Sequence, residues 1–138
     1  MSDEKSKELR TNITSAGKLE LSIVSVPMPQ PKDGEVLIRV EATPINPSDL
    51  GLLLGPADVS TMTIAGSGDD AVVSMDVPEA MMAAMAARVD KPLPAGNEGA
   101  GVVIAAGAGA EDMVGKTISV AGGAMYSQYR CVPAASCL

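Results

Sequence analysis

The sequence predicts a mainly β domain, a barrel or sandwich carrying one or two short helices. Three observations carry this. Period-two alternation of apolar and polar residues recurs along the chain. The stretches between are rich in glycine and proline, 14 and 10 of them in 138 residues. One long segment only, ending near Val89, has helical spacing. A parallel βαβ array would need helical stretches between its strands, and these are missing. A chain of this length is bounded to one domain that buries roughly two-thirds of its unfolded surface.

Met1 to Glu8 is charged, without apolar spacing, and reads as a flexible start (1–8), with the folded domain taking the remainder (9–138). Leu19, Leu21 and Ile23 alternate with Glu20 and Ser22 behind a Ser15-Ala16-Gly17-Lys18 turn, which predicts a hairpin over about Leu9 to Val26. Pro27, Pro29 and Pro31 deny ladder hydrogen bonds, so an extended crossing follows. Glu35 to Ala42 puts Val36, Ile38, Val40 and Ala42 on one face, with Glu35, Arg39 and Glu41 outward. After it, Ser48 or Asp49 is placed to cap a helical turn through Leu54, closed by Gly55-Pro56.

Residues 57–76 show no period, because Gly66-Ser67-Gly68-Asp69-Asp70 interrupts it; short strands and mobility are expected there. Asp76 followed by Glu79 resembles a capping box, and Met81, Met82, Met85 and Val89 share a helical face, so a helix is expected over about 77–89, ending before Pro92. Met side chains adapt to irregular shapes, which leaves packing over the barrel or a substrate lid open for this helix. Three more strands are read at 101–107, 116–121 and 125–132.

Composition excludes several functions. Ten Lys and Arg against seventeen Asp and Glu give a net charge of −7 with no cationic cluster, so no nucleic-acid partner is expected. Histidine is absent, which removes imidazole metal ligands and Ser-His or Cys-His nucleophile pairs. Cys131 and Cys137 lack CxxC spacing and read as reduced thiols. With no signal-like start and no apolar run of about 20 residues, no membrane partner is expected and the localisation is expected to be cytoplasmic.

The glycines of Gly96-Asn97-Glu98-Gly99-Ala100-Gly101 precede a strand instead of opening a helix, so they do not read as a dinucleotide fingerprint. Taken with Asn46-Pro47-Ser48-Asp49-Leu50 and Gly34-Glu35-Val36-Leu37-Ile38-Arg39-Val40, they resemble the N-terminal GroES-like catalytic domain of the medium-chain dehydrogenase/reductase superfamily. The resemblance runs from about Leu9 to Leu138. It implies a GroES-like partly open β-barrel.

Zinc alcohol dehydrogenases of that superfamily place Cys and His where this chain has Asn46 and Asn97, and carboxamides are poor replacements for thiolate and imidazole at Zn²⁺. The wording around both positions looks most like the zinc-free quinone oxidoreductases and 2-enoyl thioester reductases. That resemblance implies no metal, NADPH as the parent enzyme's cofactor, and a small quinone or enone/enoyl substrate. Asn46 and Asp49 match positions near the nicotinamide and are the catalytic candidates, with Asx-turn formation the other reading of Asp49. Ser48, Asn97 and Glu98 are the cleft candidates, the last two being either cleft-lining or turn-forming.

The branch usually carries a tyrosine just after the Asn-Pro-Ser-Asp stretch, and Gly51 to Asp58 holds none. Tyr126 and Tyr129 lie in strand-like sequence, where core or rim packing competes with catalysis. Relatives continue into a Rossmann domain that holds the cofactor and is absent from this chain. The expectation is therefore the substrate-side domain of a zinc-independent NAD(P)H-dependent oxidoreductase, inactive without its Rossmann partner. A non-enzymatic GroES-like binding or scaffold module is the alternative.

Overall fold

The computed structural model describes residues 3–138. It is mainly β, of the partly open GroES-like kind. Four strands form one sheet in the order β8-β7-β3-β9, where β3 is Glu35–Ala42, β7 Glu98–Ala106, β8 Thr117–Ala121 and β9 Tyr129–Pro133. Five form another in the order β4-β5-β2-β1-β6, where β1 is Lys5–Ile13, β2 Lys18–Pro27, β4 Asp58–Ala65, β5 Val72–Asp76 and β6 Leu93–Pro94. Two short helices, α1 (Pro47–Leu53) and α2 (Glu79–Met82), complete the regular structure together with single 3-10 turns. No helix among the described residues is long and apolar enough to cross a membrane.

Contacts divide the chain into two compact units. The first comprises the residues before Leu9, Ser25–Ile45 and Gly96–Leu138. Its core is Val36, Ile38, Val103, Ile118, Val120 and Val132 from the strands of the four-stranded sheet, with Met125 from the loop before β9. β3 is central, paired antiparallel with β7 on one side and β9 on the other. Here the alternation is broken: Leu37 is buried as well as Val36 and Ile38, and Ala42 is exposed. A bulge between Leu37 and Ile38 disturbs the pleat at that point.

The second unit comprises Leu9–Val24 and Asn46–Ala95, around Ile13, Leu19, Met75 and Val77. The β1–β2 hairpin is as the alternation predicts: the Thr14 N–H donates to the Lys18 carbonyl at 2.8 Å, and Gly17 takes φ +79° in the turn. β1 begins at Lys5, four residues before the expected domain boundary, and the Lys7 carbonyl accepts the Gln128 N–H at 2.9 Å. Of the expected flexible start, Met1 and Ser2 lie outside the described residues.

In this unit the expected short strands are present, and the expected long helix is corrected. Residues 58–76 form an antiparallel pair, with Ile64 opposite Val73 and a turn at the 66–70 glycines. The helix expected over 77–89 shrinks to α2 and a 3-10 turn at Ala86–Arg88. Its supposed cap, Asp76, is a strand residue whose carboxylate pairs with Lys18, and Val77 is drawn into the core. The cap position falls to Pro78, which offers no side-chain acceptor. Met82, Met85 and Val89 pack on the core while Met81 faces outward, so these methionines pack as part of this unit.

Candidate functional site

The Asn46-Pro47-Ser48-Asp49 stretch is the start of α1. The N-cap is Asn46, one or two residues earlier than the Ser48 or Asp49 expected, because Pro47 is preorganised for the first helical position. Asn46 has extended backbone (φ −93°, ψ 159°) and its carbonyl accepts the Asp49 N–H at 2.9 Å. Asp49, at N3, reaches back: its Oδ2 accepts the Asn46 N–H at 2.8 Å, one arm of a capping box. Asp49 is only 2% exposed. A buried carboxylate persists when it is hydrogen-bonded and faces the positive end of a helix, and both conditions hold here. Asn46 is half-buried and Ser48 exposed.

At its other end α1 has no basic residue of its own, and Arg88 supplies one from a distant segment. Its Nη2 lies 3.4 Å from the Leu52 carbonyl, and Nη1 approaches Gly55, whose φ is +44°. Burial lowers the basicity of this guanidinium. Sequence spacing carried no sign of this contact.

Asn97 and Glu98 lie in the first unit, at the entry to β7, and both are exposed. The Asn97 carbonyl accepts the Gly122 N–H at 2.8 Å, and Glu98 pairs in register with Ala121. The structure thus joins Asn46, Ser48 and Asp49 in one cap and places Asn97 and Glu98 on one turn. The turn before them is fixed by Gly96, which at φ +101° packs its backbone on Tyr126; a Cβ there would lie 2.7 Å from Tyr126 Cδ1. The Tyr126 hydroxyl donates to the Pro44 carbonyl at 2.9 Å. A phenol has one proton, and this bond uses it. Tyr126 lies before β9, in a loop and not in the strand expected over 125–132.

Burial pushes the Cys131 thiol up, with Glu35 adding to the effect, and burial does the same for Cys137. Among the described residues no three His, Cys, Asp or Glu side chains gather as a metal-ligand group.

Residues 32–138 match the alcohol dehydrogenase GroES-like domain, and the chain belongs to that family. A zinc-type alcohol dehydrogenase-like protein of Schizosaccharomyces pombe (strain 972) is 62% identical over 34 residues, 25% of this chain and 10% of that protein. A Bacillus thuringiensis protein assigned as an NADPH:quinone reductase matches 99% of this chain and 33% of its own, with TM-score 0.65 and 22% identity. A mycobacterial protein solved in complex with NADPH matches 96% of this chain and 31% of its own, with TM-score 0.57 and 23% identity. These structural likenesses are of fold. This chain spans about a third of each of those solved proteins.

Proposed function

We propose that this chain is the substrate-side domain of a zinc-independent, NADPH-dependent cytoplasmic oxidoreductase that reduces a quinone or the conjugated C=C of an enone or enoyl thioester. On this reading it does not turn over without a Rossmann domain. The observation that carries the proposal is a GroES-like domain with carboxamides, Asn46 and Asn97, at both positions where zinc enzymes of the superfamily use Cys and His. Zinc does not fit that donor set.

When bound, chiefly by a Rossmann domain, NADPH would supply the hydride. The Asn46 amide hydrogen-bonds the substrate carbonyl or the cofactor, and Asp49 holds Asn46 in place through its backbone N–H. Ser48 in the second unit, and Asn97 and Glu98 in the first, are the further candidates for contact with substrate or cofactor. The proton comes from water, the substrate or another residue, since residues 51–58 hold no tyrosine and the Tyr126 hydroxyl is hydrogen-bonded to the Pro44 carbonyl.

The test is NADPH oxidation by the complete gene product with a benzoquinone and an enoyl thioester, with the 138-residue chain as control. Turnover by the former alone is expected, and Asn46→Ala should lower kcat/KM roughly a hundredfold, as loss of a preorganised donor does. No oxidation with any acceptor would turn the assignment to a non-enzymatic binding module. Stoichiometric zinc in the purified protein would overturn the zinc-free assignment.

A further inference from the structure

We infer that Tyr126 is a positioning residue that sets two candidate site segments at once, through its hydroxyl on Pro44 and its ring on Gly96. The inference rests on the oxidoreductase reading for its functional meaning, but its geometry stands alone. Pro44 is two residues before Asn46 in the chain, and its carbonyl takes the phenol proton at 2.9 Å. Gly96 immediately precedes Asn97 and Glu98 and is buried. Its backbone lies so close to Tyr126 that a Cβ would fall 2.6 Å from the Tyr126 N and 2.7 Å from Cδ1. The Gly96 carbonyl also accepts the Met125 N–H at 3.1 Å, and Met125 is fully buried in the core of this unit.

Tyr126 therefore follows a fully buried residue and reaches two backbone segments by separate atoms, Gly96 by its ring and Pro44 by its hydroxyl. Ring and hydroxyl do different work. The ring holds the turn that presents Asn97 and Glu98. The hydroxyl holds the strand exit that leads to Asn46.

Amide hydrogen exchange on the 138-residue protein tests this, using Tyr126→Phe, Tyr126→Leu, and Tyr129→Phe as control. In Tyr126→Phe, exchange at Asn46, whose N–H is held by Asp49, should rise about fivefold, the equilibrium factor of one net hydrogen bond, while Asn97 and Glu98 keep their rates. In Tyr126→Leu the rise should extend to Asn97 and Glu98. Tyr129→Phe should change neither segment. Exchange that stays unchanged, or scales uniformly over the chain, would overturn the inference.

In the complete enzyme, Tyr126→Phe should lower kcat for the acceptor with the KM for NADPH unchanged. An enzyme that shows no reductase activity at all would remove the oxidoreductase reading and leave the exchange result standing.

Discussion

Asp49 and Thr11 are both buried polar residues, and their environments predict opposite consequences of removal. Asp49 accepts the Asn46 N–H and closes the cap of α1, so Asp49→Ala opens that cap and leaves a void. A loss of about 1–2 kcal/mol is expected by urea denaturation, with faster amide exchange confined to the first turn of α1. An unchanged midpoint would mean that the buried carboxylate does no better than the solvent it replaces. Thr11 is 1% exposed and its Oγ1 has no partner. Thr11→Val removes an unsatisfied hydroxyl at nearly the same shape within a strand, and should raise stability by about 1 kcal/mol. A fall in the midpoint would reveal a partner for the hydroxyl. The Asn-Pro-Ser-Asp motif was visible in the sequence, but which residue caps was not, because Asn46, Ser48 and Asp49 all have capping side chains. Only the backbone, with Asn46 extended and Pro47 in the helix, decides it. The Tyr126 to Pro44 bond spans 82 positions and leaves no local pattern to read.

Elements were legible where one face is buried and hidden where neither is. β3 and the β1–β2 hairpin show their alternation because a core lies against them. β4 is an edge strand, almost wholly exposed, with a register shift between Asp58 and Thr63, so no period-two signal exists to find. The 77–89 segment had the right spacing for a long helix, but the sheet claimed Asp76 and the core claimed Val77. Tertiary demands overrode local preference there. Glycines give a direct test of how tightly elements meet. At Gly107 a Cβ would sit 1.9 Å from the Lys32 carbonyl oxygen, backbone against backbone, so Gly107→Ala should cost about 3 kcal/mol. At Gly122 the nearest atom would be Val120 Cγ1 at 3.5 Å, and Gly122→Ala should fall within about 0.5 kcal/mol of the parent. Paired urea curves measure both. Equal effects at the two sites would mean that the approach of Lys32 to Gly107 relaxes freely.

At the scale of the whole chain, the backbone passes between the two units four times, after Glu8, Val24, Ile45 and Ala95. Two of those passages, after Glu8 and Val24, fall inside unbroken strands, β1 and β2. A ladder strand that melts in one half loses pairing in the other, so the chain should unfold in one cooperative step, as single domains below about 150 residues usually do. The aromatic content supplies a selective probe. Tyr126 and Tyr129 are the only aromatic residues, and both lie in the first unit, so tyrosine fluorescence reports that unit alone. Leu19 is fully buried in the core of the second. Leu19→Ala should cost about 2–5 kcal/mol, the usual range for a buried leucine whose site collapses only in part. In a cooperative chain that loss moves the urea midpoint of tyrosine fluorescence as far as the midpoint of far-UV circular dichroism. A fluorescence midpoint that stays put while part of the dichroism signal moves would show that the second unit melts by itself. The continuity of β1 and β2 would then carry no coupling.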